Sequence, residues 1–220
     1  MSLSSHAKIN LTLKVNYKNK NNLHEIQSYF CLIDLADKIK IKKIKNRKDK
    51  ISFKGPFAQL VNKSNNSILS LFRLLRKLGL ISDFYSVTIV KNIPVFAGLG
   101  GGAANVATIL KHLFKKRISR SLLNQVENRV GSDLKLFFYN QGFMKNLGLI
   151  TSIKKKHKLF FLLIQPGVKC STKEIYAGVK NYSKKKRLEE RRIKNKSNFI
   201  SHLSKSRNDL QSIVEKKYPI

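Results

Sequence analysis

The sequence predicts a two-domain α+β protein, and three observations carry that expectation. Strand-like alternation dominates from Lys8 to Phe53, helical periodicity dominates from Asn66 to Arg129, and beyond Thr151 the chain turns polar and lysine-rich. No internal repeat runs through these regions. A length of 220 residues suits one large domain or a moderate domain with a smaller companion. The composition shift puts the boundary near Thr151, with residues 152–220 as the smaller part.

Ile9, Leu11, Leu13 and Val15 alternate with Lys8, Asn10, Thr12 and Lys14, the period of two expected of a strand with one buried face. Tyr29 to Leu35 and Lys38 to Ile44 read as two further strands, and Ile51 to Phe53 ends at the Gly55-Pro56 punctuation. Asn66 is a helix cap for Ile68, Leu71, Phe72, Leu75 and Leu78, which recur at helical spacing until Gly79 stops them. Tyr85, Val87 and Ile89 make another strand. After the loop from Pro94 to Gly102, a second helix puts Ala103, Val106, Ala107, Leu110 and Phe114 on one face. Asn105, Thr108, His112 and Lys115 are expected on its polar side. Ser121 to Arg129 reads as a short helix, and Gly131-Ser132-Asp133 introduces the apolar run Leu134 to Tyr139. Leu159 to Ile164 reads as a buried strand ending at Pro166-Gly167, and Lys184 to Lys196 is too charged for a core.

A hydrophobic share of 42%, with 13 Phe and 7 Tyr, is enough apolar material for a folded globule. The 45 Lys and Arg against 12 Asp and Glu give a formal charge of +33, which attracts nucleic acid, anionic membranes and phosphorylated small molecules alike. Lys, Asn and Ile are abundant throughout, as an A/T-rich genome would set them at permissive surface positions. The runs Lys38 to Lys50, Lys154 to Lys158 and Lys184 to Lys196 therefore read as solvated faces, and no dedicated nucleic-acid partner is expected. Cys31 and Cys170 are far apart and form no metal or redox pattern, so reduced thiols and a cytoplasmic setting are expected. The first residues lack the features of a secretory signal, and no apolar run approaches the roughly 20 residues that cross a bilayer. No membrane partner is expected.

The strongest chemical signal is Pro94-Val95-Phe96-Ala97-Gly98-Leu99-Gly100-Gly101-Gly102, between a predicted strand and a predicted helix. Glycine lets main-chain amides approach an anion and adopt positive φ, and the helix that follows offers unpaired donors and a favourable dipole. A tight turn alone would need one or two glycines. The segment lacks the Gly-Lys-Ser/Thr ending of a Walker loop and the spacing of a dinucleotide fingerprint.

With Lys91, Ile93 and Ala107, this segment resembles the ATP-binding motif of the GHMP kinases, in the form it takes among diphosphocytidyl-methylerythritol kinases. Ala7-Lys8-Ile9-Asn10-Leu11, with Leu13 and Val15, is similar to that family's first motif. His24-Glu25-Ile26, then Leu32, Asp34 and Asp37, resemble the substrate-side segment and the pattern after it. Gly131-Ser132-Asp133 with Phe137 resembles the segment carrying the catalytic aspartate. Pro166, Ser171-Thr172, Tyr176 and Asn208-Asp209-Leu210 resemble landmarks of the second domain.

The resemblance implies a two-domain GHMP kinase fold. Residues 1–151 would be an N-terminal α/β domain like ribosomal protein S5 domain 2, and residues 152–220 an incomplete C-terminal α+β domain. It implies transfer of the ATP γ-phosphoryl group to the 2-hydroxyl of 4-diphosphocytidyl-2-C-methyl-D-erythritol, in non-mevalonate isoprenoid synthesis. Asp133 would be the general base and Lys8 the cation beside it. Pro94 to Gly102 with Ala103 and Ala104 would hold ATP, and Asn10 and His24 the substrate. Mg²⁺ would be held mainly through ATP, with no protein metal ligand, in a monomer or homodimer.

The sequence departs from the family pattern in several places. Leu23 replaces a tyrosine and Asn21-Asn22 replaces Asp-Gly. Ala103-Ala104 replaces paired serines, removing hydroxyls that would reach magnesium or phosphate. Lys135 replaces a proline, and Asn146 and Leu149 interrupt a Gly-x-Gly-Glu turn around Gly148. The third glycine-rich motif of the family does not occur before Ile220, so an incomplete second domain is expected. Two other readings stay open: a degenerate nucleotide-binding remnant without turnover, and a basic RNA-binding protein.

Overall fold

The structure, a computed structural model, describes residues 2–20, 23–115, 117–153, 156–168, 170–185 and 193–219. Asn21-Asn22, Lys154, Lys155 and the middle of the last basic run lie outside the described residues. By internal contacts the chain forms two compact units, each built from two stretches of sequence. The first takes Met1–Lys8 and Leu32–Phe138, the second Ile9–Cys31 and Tyr139–Ile220. A single cut near Thr151 does not separate these units, because strand β3 (His24–Ile44) gives its first part to the second unit and the remainder to the first.

In the first unit, β5 (Phe84–Val90) pairs antiparallel with the later part of β3, Ile39 lying opposite Ile89, and parallel with β4 (Lys50–Lys54). β1 (Leu3–Asn10) pairs with β3, and its residues to Lys8 belong here. Helices α1 (Ser67–Lys77), α2 (Gly101–Phe114) and α3 (Arg120–Val130) supply the other layer, with a 3-10 turn at Leu134–Phe138. Ile39, Val87 and Ile89 of the sheet share one core cluster with Leu71, Phe72 and Leu75 of α1 and Val106, Ile109 and Leu110 of α2. Each such side chain removed from water contributes about 1.5–3 kcal/mol. The sequence signals for α1 hold: the Asn66 side chain accepts from the amides of Ile68 and Leu69 at 3.1 Å, and Gly79 follows the helix at φ +66°.

Two expectations for the first strands of the chain are corrected. β1 begins at Leu3 and breaks after Asn10, before β2 (Lys14–Lys18), so Ile9 to Val15 is not one alternating strand. The two strands read at Tyr29–Leu35 and Lys38–Ile44 are one, because Ala36-Asp37 contains no breaker and the Asp37 carboxylate finds partners inside the protein.

In the second unit, the first part of β3 pairs antiparallel with β2 and with β6 (Gln141–Asn146), which pairs with β7 (Leu149–Ser152). Tyr29, Phe143, Ile153, Ile193 and Phe199 form its core. Helices α4 (Thr172–Ala177), α5 (Lys196–Ser204) and α6 (Gln211–Lys217) complete it. Asp209 ties α6 to β2: its carboxylate accepts from the Val15 amide at 2.8 Å and its own amide donates to the Leu13 carbonyl at 2.9 Å. The buried strand expected at Leu159–Ile164 is absent. That segment is irregular, with Phe160, Leu162 and Ile164 80%, 86% and 83% exposed. Its apolar residues suit a strand covered on both faces, and no strand pairs with it among the described residues. Among those residues no helix is long and apolar enough to cross a membrane.

Candidate active site

Lys8, which alternation would have placed on a polar face, is only 4% exposed. Its amide donates to the Leu99 carbonyl at 3.1 Å, joining β1 to the glycine segment, and its Nζ stands 3.1 Å from Asp133 Oδ2. The Asp133 side chain remains 33% exposed. It precedes the 3-10 turn, whose Leu134, Leu136 and Phe137 are buried and anchor the backbone that carries it. The first unit therefore brings the expected base and the expected lysine together beside the expected phosphate loop.

The glycines of that loop have separate reasons. Gly98 and Gly100 sit at φ +70° and +69°, where a Cβ is strained. Beyond Gly98 a Cβ would meet open space, while at Gly100 it would stand 2.7 Å from the end of the buried Phe137 ring and 3.4 Å from Lys8 Cε. At Gly101 it would be 3.1 Å from Lys91 Nζ and from Ile93, and at Gly102 it would make ordinary contact with Ser67. Phe96 also has positive φ, +64°, with its ring largely exposed, a costly conformation for a bulky residue. Helix α2 starts at Gly101 with Gly100 as its cap, which has no side chain to bond the first amides. These donors and the helix dipole suit an anion. Ala103 and Ala104 are buried in the core cluster, so they present main chain and no hydroxyl.

A buried polar group behind this loop was not foreseen. Asp37, fully buried, accepts from the amides of Asn92 and Ile93 at 2.8 and 2.9 Å, from Asn105 Nδ2 at 3.0 Å and from Lys91 Nζ, its ion-pair partner. Asn105 is thus a core residue, not part of the polar face expected of α2. The available signal was an aspartate in mid-strand with no turn residue near it.

Asn10 and His24, the expected substrate residues, belong to the second unit. Asn10 Oδ1 accepts from Ser28 Oγ at 3.2 Å. The His24 ring stacks on Tyr176, centroids 5.2 Å apart at 29°, and lies 6.3 Å from Tyr182. Burial, with a smaller effect from the Lys18 charge, lowers the His24 pKa below its ordinary value, which favours a neutral ring with one donor and one acceptor. Position 23, where the family pattern has a tyrosine, is an exposed leucine, and the aromatic partners of His24 come from the polar stretch after Pro166 instead.

No group of three or more His, Cys, Asp or Glu stands together to hold a metal among the described residues. A depression of about 320 Å³ lined by Gly79, Asp83, Tyr85 and Phe114 lies elsewhere in the first unit, and its one carboxylate is paired with Lys43 at 2.7 Å.

Residues 66–139, from the cap of α1 through the turn after Asp133, match the GHMP kinases N terminal domain. A 4-diphosphocytidyl-2-C-methyl-D-erythritol kinase of Pelagibacter ubique (strain HTCC1062) is 32% identical over 222 residues, which cover 99% of this chain and 77% of that protein. The chain belongs to the 4-diphosphocytidyl-2-C-methyl-D-erythritol kinase family. A second family member, from Buchnera aphidicola subsp. Schizaphis graminum (strain Sg), is 31% identical over 226 residues, covering 97% of this chain and 73% of its own length. The fold agrees with the family. A crystal structure of 4-(cytidine 5'-diphospho)-2C-methyl-D-erythritol kinase superposes with a TM-score of 0.67 at 20% identity, over all of this chain and 79% of that one.

Proposed function

We propose that this chain transfers the γ-phosphoryl group of ATP to the 2-hydroxyl of 4-diphosphocytidyl-2-C-methyl-D-erythritol, a step of non-mevalonate isoprenoid synthesis. The observation that carries the reading is Lys8, hydrogen-bonded through its main chain to the glycine segment and paired through its side chain with Asp133. Phosphoryl transfer asks chiefly for alignment and charge compensation, and these are the parts such a site needs.

In this reading the amides from Gly98 to Ala103 hold the phosphates of ATP, supported by the open space at Gly98 and the glycine cap of α2, which makes no side-chain bond to the helix. Asp133 accepts the hydroxyl proton as that oxygen bonds to the γ-phosphorus and the bond to ADP breaks. Lys8 orients the carboxylate and offsets the negative charge that gathers at the transferred group. The buried alanines at 103 and 104 offer no ligand, so Mg²⁺ would enter with the phosphates of ATP, where it shields their charge. His24, neutral and stacked on Tyr176, offers a donor and an acceptor to the cytosine edge.

The test is ADP release by the purified chain with ATP, Mg²⁺ and 4-diphosphocytidyl-2-C-methyl-D-erythritol. Release that depends on the alcohol supports the reading. ATP binding without release would leave a nucleotide-binding remnant, and the absence of both binding and release would remove the kinase assignment.

A further inference from the structure

We propose that Asp37 is the positioning residue of the glycine segment, a single buried carboxylate that holds both ends of the phosphate cradle. The inference deepens the kinase reading and rests on it for the identity of the ligand. Its geometric content is independent of that reading.

A run with glycine at 98, 100, 101 and 102 has little stiffness of its own, and here it must also keep positive φ at Phe96, Gly98 and Gly100. Something outside the run has to set its shape. Asp37 contacts it from both sides. Its Oδ1 accepts from Asn92 and Ile93, directly before Pro94, and its Oδ2 accepts from Asn105, in the first turns of α2. The residues between, 94–104, are the ones assigned to ATP.

Lys91 completes the device. Its Nζ pairs with Asp37 and lies 3.1 Å from where a Gly101 Cβ would stand, so glycine at 101 makes room for this ammonium rather than for a ligand. The Lys91 main chain is fixed as well, its amide donating to Lys54 at 2.7 Å and its carbonyl accepting from Phe57 at 3.3 Å. Among the described residues Asn105 Oδ1 is buried with no hydrogen-bond partner, so the bond from its Nδ2 to Asp37 is the polar contact that accounts for an asparagine inside α2. With Lys91 beside it, Asp37 adds no net charge to the loop. Its contribution is geometry, and misplacing a reacting group by about 1 Å can cost about 100-fold in rate.

The experiment uses the full chain and the double variant Asp37→Asn/Lys91→Met, which leaves neither charge buried alone. Amide hydrogen exchange is followed without nucleotide, and dissociation constants for ATP and for 4-diphosphocytidyl-2-C-methyl-D-erythritol are measured well below the melting temperature. The expected result is exchange about tenfold faster at 98–103 with α3 unchanged. ATP binding weakens about tenfold while binding of the alcohol substrate stays within about twofold. A lower melting temperature with exchange and ATP affinity unchanged would make Asp37 merely structural and overturn the proposal. Should the double variant not fold, Asn105→Ala must accelerate exchange at the same amides, and unchanged exchange there overturns it equally. A parent chain that binds no ATP would remove the kinase reading, while the exchange data would still decide the role of Asp37.

Discussion

Lys8 Nζ stands 3.1 Å from Asp133 Oδ2, and the main chain of the same lysine is bonded to Leu99 of the glycine loop. One residue thus sets the carboxylate against the loop. Its two contacts separate by chemistry, since a substitution of the side chain leaves the amide bond in place. Lys8→Met is expected to lower kcat by about 10²–10³ while the ATP dissociation constant changes by about threefold or less. Steady-state kinetics with calorimetry checks this, and equal losses in both quantities would contradict it.

Gly100→Ala is expected to reach Asp133 through Phe137. The added methyl would sit 2.7 Å from a buried ring on the turn that follows Asp133, at a φ of +69°. Strain and overpacking together predict a loss of about 1–3 kcal/mol in thermal unfolding, together with reduced kcat. Gly98→Ala has the same φ problem but open space, so it should destabilise less.

The depressed pKa of His24 fixes the direction of a pH effect. If the neutral ring binds cytosine, KM for the cytidine-bearing alcohol should be flat above the ordinary histidine value of 6.5 and rise only below it. Lys18→Gln removes one cause of the depression, so the rise should move to higher pH. His24→Gln should abolish the rise. Initial rates at saturating ATP over a series of pH values measure all three.

The exposed run at Phe160, Leu162 and Ile164 should behave as an association-prone patch. Leu162→Ser is expected to reduce binding of a hydrophobic dye and light scattering at high protein concentration. ATP affinity should not change.

The core of the first unit was legible because its signals are local. The Asn66 cap, the helical spacing of Ile68 to Leu75 and the alternation of Tyr85, Val87 and Ile89 need no knowledge of neighbours. The loop at 94–102 was legible for the same reason, since four glycines in five positions demand a backbone explanation. What escaped depends on partners far along the chain. Asn105 looks polar on a helical wheel, and only Asp37, brought beside it by the sheet, makes it a core residue. Lys8 looks exposed by alternation, and the family resemblance rather than the local pattern set it beside Asp133; its main-chain bond to Leu99 had no signal in the sequence. Leu159 to Ile164 carries the composition of an inner strand, but pairing is a property of a neighbour, and composition does not supply one.

The most direct measurement is the turnover of Asp133→Asn beside its ATP affinity. The substitution keeps the shape of the side chain and removes the carboxylate proposed to take the proton. With proton removal by a positioned base worth about 10²–10⁴ in rate, kcat should fall by that factor while ATP binds as in the parent chain. Turnover within about threefold of the parent at unchanged affinity would contradict the assignment of Asp133, and with it the catalytic centre proposed for the first unit.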